Sequence, residues 1–172
     1  SSIALRDTQW SIAGGNFQND SGLSVLPPNA RSHAQTSLLV MRAQTSGAAN
    51  ETTEFKYGTY ADQTFALEDG KAYEITSTAL LAGTLPSTES GPGRRAVRRV
   101  VTKAIVTCCD NGAPSVMVLE EDAKGDEGAA DWRVQLIPSA QGGNRISWQL
   151  GTTSGSRING VLRIDFSEVV FP

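Results

Sequence analysis

From Ala130 to Phe171 the chain runs through one pattern three times, apolar alternating with polar. Trp132, Val134 and Leu136 form the first set, Ile146, Trp148 and Leu150 the second, and Ile158, Leu162, Ile164 and Phe166 the third. A period of two sends successive side chains to opposite sides of an extended backbone, so each run reads as a strand with one buried and one wet face. The intervening segments, Gln141-Gly-Gly-Asn144 and Thr152-Thr-Ser-Gly155, are short enough for antiparallel hairpins. The expected ending is an antiparallel meander, which specifies a sheet and carries no chemistry.

The rest of the chain reads the same way. Gln35 to Thr45 is a strand with apolar residues on both faces in its middle, the pattern of a buried strand. Thr53 to Tyr57 and Gln63 to Leu67 read as short strands, and Lys71 to Gly83 as a long one with Tyr73, Ile75, Ala79 and Leu81 on one face. Ser115 to Glu121 is a return strand after the Asp110-Asn-Gly turn, and Asp122 to Ala130 an acidic, glycine-rich loop. A chain of 172 residues fits one domain that buries roughly 70% of its unfolded surface. The expected fold is all-β, an antiparallel β-sandwich of jelly-roll type over residues 31–172. Residues 1–30, with Pro27-Pro28 blocking helix at their end, read as an N-terminal arm or pair of short strands that packs on something such as a neighbouring subunit, with Trp10 and Phe17 as its interface candidates.

Residues 94–107 admit two readings. Val97, Val100, Val101, Ala104 and Ile105 share one side of a helix, with the basic residues opposite. Against this, seven of the fourteen residues are Val, Ile or Thr, no capping box precedes them, and every neighbouring segment reads as strand. Strand is the preferred reading. Fourteen extended residues would span ~46 Å, so a bulge or bend is expected.

Little in the sequence points to catalysis. His33 is the sole histidine and sits beside an extended strand, where it reads as a polar loop or interface residue. Cys108 and Cys109 are adjacent, too constrained to staple a chain, and without histidine partners they make no metal site. Glu120, Glu121, Asp122, Asp126 and Glu127 could in principle supply a carboxylate pair for glycoside hydrolysis, but a solvated loop or a cation site is the preferred reading. No catalytic residue, metal or cofactor is expected. With 15 basic against 18 acidic residues, there is no global electrostatic case for nucleic acid. No apolar run reaches the roughly 20 residues of a membrane span, and Ser1 opens no signal sequence, so no membrane insertion is expected. Without a secretion signal the sequon at Asn50 carries little weight.

The strongest charge feature is the pair of doublets Arg94-Arg95 and Arg98-Arg99. They read as an edge strand guarded by charge, or as a binding surface for nucleic acid, an acidic polysaccharide or an acidic patch on a neighbouring subunit. The acidic stretch 120–127 is close in sequence, so a contact between the two, within or between chains, is preferred over nucleic acid.

Several motifs then add up. Ala34-Gln-Thr-Ser37, followed by Val40-Met-Arg-Ala-Gln-Thr45, resembles the Gln-Thr-Ser and Leu-Arg-x-x-Thr that open a module of many phage and prophage tail-fibre proteins. Residues 71–83 and 96–106 resemble that module's following strands. Ala130-Asp-Trp-Arg-Val134, Asn144 to Thr152 and Ser156 to Val169 are similar to its ending. The resemblance covers about residues 34–170. It departs at one landmark: the module's second tryptophan would fall near Asn159 or Gly160, whereas this chain carries Trp148. Core packing is expected to differ there.

The resemblance implies a non-enzymatic protein on the exterior of a bacteriophage virion, made in the host cytoplasm. It implies a homotrimer, either a capsid decoration protein or a short fibre, whose partners are other virion proteins such as the major capsid or a tail protein. The alternative is a tail-fibre receptor-binding module that recognises a host surface glycan or protein. Ser1 after removal of an initiator Met would suit a complete short protein. The loops 46–51, 85–93 and 122–130 are expected to lie outermost.

Overall fold

The computed structural model describes residues 9–16, 33–56, 65–86, 93–108, 113–140 and 142–170. Among these are ten strands: β1 Gln9–Asn16, β2 His33–Gln44, β3 Glu51–Glu54, β4 Phe65–Ala66, β5 Lys71–Thr84, β6 Arg95–Thr107, β7 Ser115–Gly125, β8 Arg133–Pro138, β9 Arg145–Thr152 and β10 Arg157–Val170. A single 3-10 turn, Glu127–Ala129, interrupts them. The strands form two sheets with antiparallel pairing throughout. One has six strands in the order β1-β2-β10-β5-β6-β7; in the other, β9 pairs with β3 and β4 on one side and β8 on the other. The fold is the expected antiparallel sandwich.

Alternation explains the packing. On β10, Ile158, Leu162, Ile164 and Phe166 are buried; on β5, Tyr73, Ile75, Ala79 and Leu81; on β6, Ala96, Val100, Ala104 and Val106. These rows meet Trp148, Leu150 and Ile146 of β9, Val134 and Leu136 of β8, and Phe65 of β4 in one apolar cluster. Phe65 meets Trp148 edge-on at 6.3 Å and Phe166 at 5.0 Å, tying the two sheets together. After β3 the chain spans the gap between sheets: the Phe55 amide donates to the Trp148 carbonyl at 2.9 Å, and Arg42 and Lys56 exchange backbone hydrogen bonds.

Gly160 is the inward position of β10 between Ile158 and Leu162. A Cβ there would lie 3.0 Å from Leu81 and 3.1 Å from the Phe55 ring. The module's second tryptophan therefore has no room at this position. Phe55 occupies the space, and the indole bulk comes from Trp148 in the facing sheet.

Residues 94–107 are a strand, β6 running Arg95–Thr107. The expected irregularity falls in its partner: the register shifts between Lys103 and Ala104, leaving Leu119 of β7 as the extra residue.

Three expectations are corrected. The ending is not a meander, because β8 and β9 pair but β9 and β10 lie in different sheets. Alternation is blind to which sheet a strand joins. Asp131 decides it by holding the turn between them, and Thr45 by binding Ser156 and Ile158. Next, β2 is not buried on both faces: Leu39 and Met41 are sealed, while Val40 between them is exposed. Finally, the acidic segment from Asp122 begins as strand, since β7 extends to Gly125.

Of the proposed arm, Gln9–Asn16 forms β1 and pairs with β2, Trp10 lying opposite Leu38 in the register. Phe17 and the rest of the arm lie outside the described residues. His33 opens β2, and Cys108 is buried just beyond the end of β6. Cys109 is outside the described residues. No helix among the described residues is long and apolar enough to cross a membrane.

Candidate functional site

Two carboxylates, Glu51 and Asp131, are engaged in holding turns. Glu51 at the start of β3 accepts hydrogen bonds from the amides of Ser46, Gly47 and Ala48 at 2.8–3.1 Å, closing the β2–β3 turn. The Ser46 amide leads in holding its carboxyl below the usual range. Asp131 accepts from the amides of Thr153 and Ser154 at 2.9 and 2.8 Å and from the hydroxyls of Thr152 and Thr153. Partial burial pushes this acid up, but the hydrogen bonds outweigh it and bring it down to about 2. At the other end of the sandwich Lys71 lies between Glu68 at 2.8 Å and Glu168 at 3.1 Å. Burial opposes its charge, and the two carboxylates overcome that and raise its pKa.

Within the acidic stretch Glu120 and Asp122 share the outer face of β7, with Glu121 between them on the opposite side. Glu120 binds Lys103 at 2.6 Å and Asp122 binds Lys124 at 3.3 Å. Asp126 accepts from the Val97 amide at 2.7 Å and lies 3.7 Å from Arg94. Among the described residues no three histidine, cysteine or acidic side chains come together as a metal site would require.

The same alternation divides the arginine doublets. Arg94 precedes β6 and is exposed near Asp126, which is the one ion pair between the doublets and the acidic stretch among the described residues. Arg95 and Arg99 point out of the sandwich, flanking Val97. Arg98 turns to the inner side, where its Nε is buried without a partner among the described residues. A helix would have grouped these side chains on one face; a strand distributes them.

Two surfaces remain. The first is a cleft of about 280 Å³ at the loop end, between the turns that follow β2, β5 and β9. It is lined by Ser46, Thr84, Leu85, Pro86 and Arg157 with glycine backbone between them. The Arg157 Nε donates to the Ser46 carbonyl at 3.1 Å, which fixes the guanidinium at its rim. Of the loops expected outermost, 46–51 and the described part of 85–93 border this cleft, and Gly128 of the 3-10 turn backs onto Leu85.

The second surface is the outer face of the six-stranded sheet. Six of the eight exposed large hydrophobics lie there: Val40, Leu80, Val97, Met117, Val161 and Val169, between 39% and 56% exposed. Val161 and Leu80 are neighbours in register, with Arg42 and Arg99 on either side. Single exposed apolar residues are ordinary, and a set of six on one sheet face stands out against that background. Arg42, Leu80, Val161 and Arg157 escaped the sequence reading because each sits where alternation places solvent. The available signal was the apolar occupancy of those positions, visible in the Leu38-Leu-Val-Met41 run.

No family model matches this chain, and a search of curated proteins finds no match. Among solved structures it is similar to a tailspike protein of Acinetobacter baumannii bacteriophage Fri1, a capsular polysaccharide depolymerase. The TM-score is 0.33 at 13% identity, and the alignment covers 86% of this chain and 19% of the tailspike chain. A likeness of that size carries no argument about activity.

Proposed function

We propose that this protein is a non-enzymatic structural component of a bacteriophage virion exterior, assembling as a homotrimer that decorates the capsid or forms a short fibre. The observation that carries the reading is the outer face of the six-stranded sheet. Its strands have the residues to be buried on both sides, as the Leu38 to Met41 run does, yet one side lacks a covering layer among the described residues. A sandwich built this way gains stability by packing against other copies or a particle surface. The motif resemblance to phage tail-fibre modules over residues 34–170 supports the virion setting. The engagement of Glu51, Asp126 and Asp131 in turns supports a non-catalytic role.

Imaging of phage particles with an antibody raised against the full chain tests this reading. Label on intact particles, on capsid or tail, is the expected result; label confined to lysate and absent from purified particles overturns it.

The loop-end cleft favours a second reading, a receptor-binding module. Its open rim, with Arg157 fixed beside Ser46, offers polar contacts to a surface glycan or protein of the host. In that case the purified protein adsorbs to host cells and blocks infection, which a decoration protein does not do.

A further inference from the structure

We infer that copies of this chain meet through the outer face of the six-stranded sheet, the loop-end half of one copy lying on the opposite half of the next. The inference rests on the assembly reading above and assigns the surface that performs it.

Register locates the charges. Towards the loop end the outward strand positions carry five cations, Arg42, Arg95, Arg99, Lys124 and Arg157, of which Lys124 pairs with Asp122; the carboxylate at that edge, Asp126, is held by the Val97 amide and lies near Arg94. The other half carries Glu74, Glu120, Asp122 and Asp165 against Lys103 and Arg163, four carboxylates to two cations. A chain whose overall charge is −3 thus carries a local excess of positive charge on half of one face. The two halves are complementary to each other. Strands β5, β6 and β10 run the length of both halves, so one sheet presents the two charge fields end to end along its strands.

The apolar residues follow the same plan. Leu80, Val161 and Val97 lie among the arginines, and Met117 and Val169 lie in the acidic half. Stacking one half on the other removes both apolar sets from water while opposing unlike charges. Stacking like halves would bring five cations against five. Because both halves lie on one face, two copies stacked about a two-fold axis oppose unlike halves reciprocally. The charges set direction and choice of partner, and the apolar residues supply the attraction.

Sedimentation of the full-length protein over a concentration series tests this, with circular dichroism as the check on folding. Leu80→Glu places an unpaired carboxylate in the contact and is expected to raise the dissociation concentration about a hundredfold. Arg42→Glu with Arg99→Glu is expected to dissociate the assembly, and adding Glu74→Arg with Glu120→Arg to restore it. Restoration is a result that misfolding cannot produce. Gln135→Glu, exposed on β8 of the other sheet, is expected to change nothing. If the wild-type chain assembles and none of the outer-face variants weakens it, this face is not the contact and the inference fails while the assembly reading stands. A wild-type chain that stays monomeric at every concentration overturns both. So does a monomer retained on a polyanionic resin at physiological salt, which would make the basic half an anion-binding surface.

Discussion

The two faces of the six-stranded sheet are made by the same strands and obey the same alternation, yet they differ in what they touch. Inward, Ile164, Leu162, Ile75 and Leu81 belong to the same apolar cluster as Trp132 and Trp148 and are sealed from water. Outward, Leu80, Val161 and Val40 stand among arginines and remain exposed. Apolar content alone does not separate them; the presence of a second layer does. The inner face is a finished core, and the outer one carries apolar residues that no second layer covers among the described residues.

Variants on the inner face should act on stability and those on the outer face on assembly. The largest effect is expected at Trp148, which is fully buried and stacked edge-on against Phe65. Trp148→Ala should cost about 3–5 kcal/mol, read by chemical denaturation. Its indole Nε1, like that of Trp132, is buried without a hydrogen-bond partner among the described residues. Both rings thus serve the core as apolar bulk.

Gly160→Ala probes the same core from the other sheet. The added methyl must displace the Phe55 ring or the Leu81 side chain, at a cost of about 1–3 kcal/mol. A melting temperature equal to wild type would show that the space opposite Phe55 is slack.

Asp131 tests the turn that sends β10 into its own sheet. Asp131→Ala removes the acceptor for two amides and two hydroxyls and should cost about 2 kcal/mol. Because the folded acid titrates at about 2 rather than its ordinary 3.8, its stabilisation is complete above pH 4 and declines as the pH falls towards 2. Asp131→Asn should lack that part of the acid dependence. A variant whose stability falls with acid as steeply as wild type would assign the effect to other groups.

The smallest change in protomer stability is expected on the outer face. Leu80→Glu, measured below the dissociation concentration, should shift unfolding by under about 0.5 kcal/mol. A loss comparable to that at Trp148 would mean the outer face is already packed within the protomer, and would erase the distinction between the two faces.

Much of the architecture was legible because strand alternation is local. The runs from Trp132, Arg145 and Arg157 onward, and Lys71 to Thr84, appear as strands close to where the pattern places them. For residues 94–107 the β-branched content was a better guide than the helical spacing of Val97, Val100 and Val101. Arg94, Arg95, Arg98 and Arg99 were legible as a charge cluster but not as a site, because the strand turns Arg98 inward and leaves Arg95 and Arg99 outside. The candidate interface was hidden for a related reason. Arg42 and Arg157 are far apart in sequence and share a face only because β10 lies between β2 and β5.

What the sequence determined by itself was the class: extended strands, one apolar side each, antiparallel, in a single sandwich. A two-residue period states which side chains share a face of their own strand, and nothing more. Which sheet each strand joins was decided in three dimensions. Asp131 capping the turn before β10, Thr45 bonded to Ser156 and Ile158, and Phe55 filling the gap at Gly160 join residues up to 113 positions apart. Such contacts leave no local trace, because the hydrogen bonds and van der Waals packing that specify them exist only once the two sheets have met.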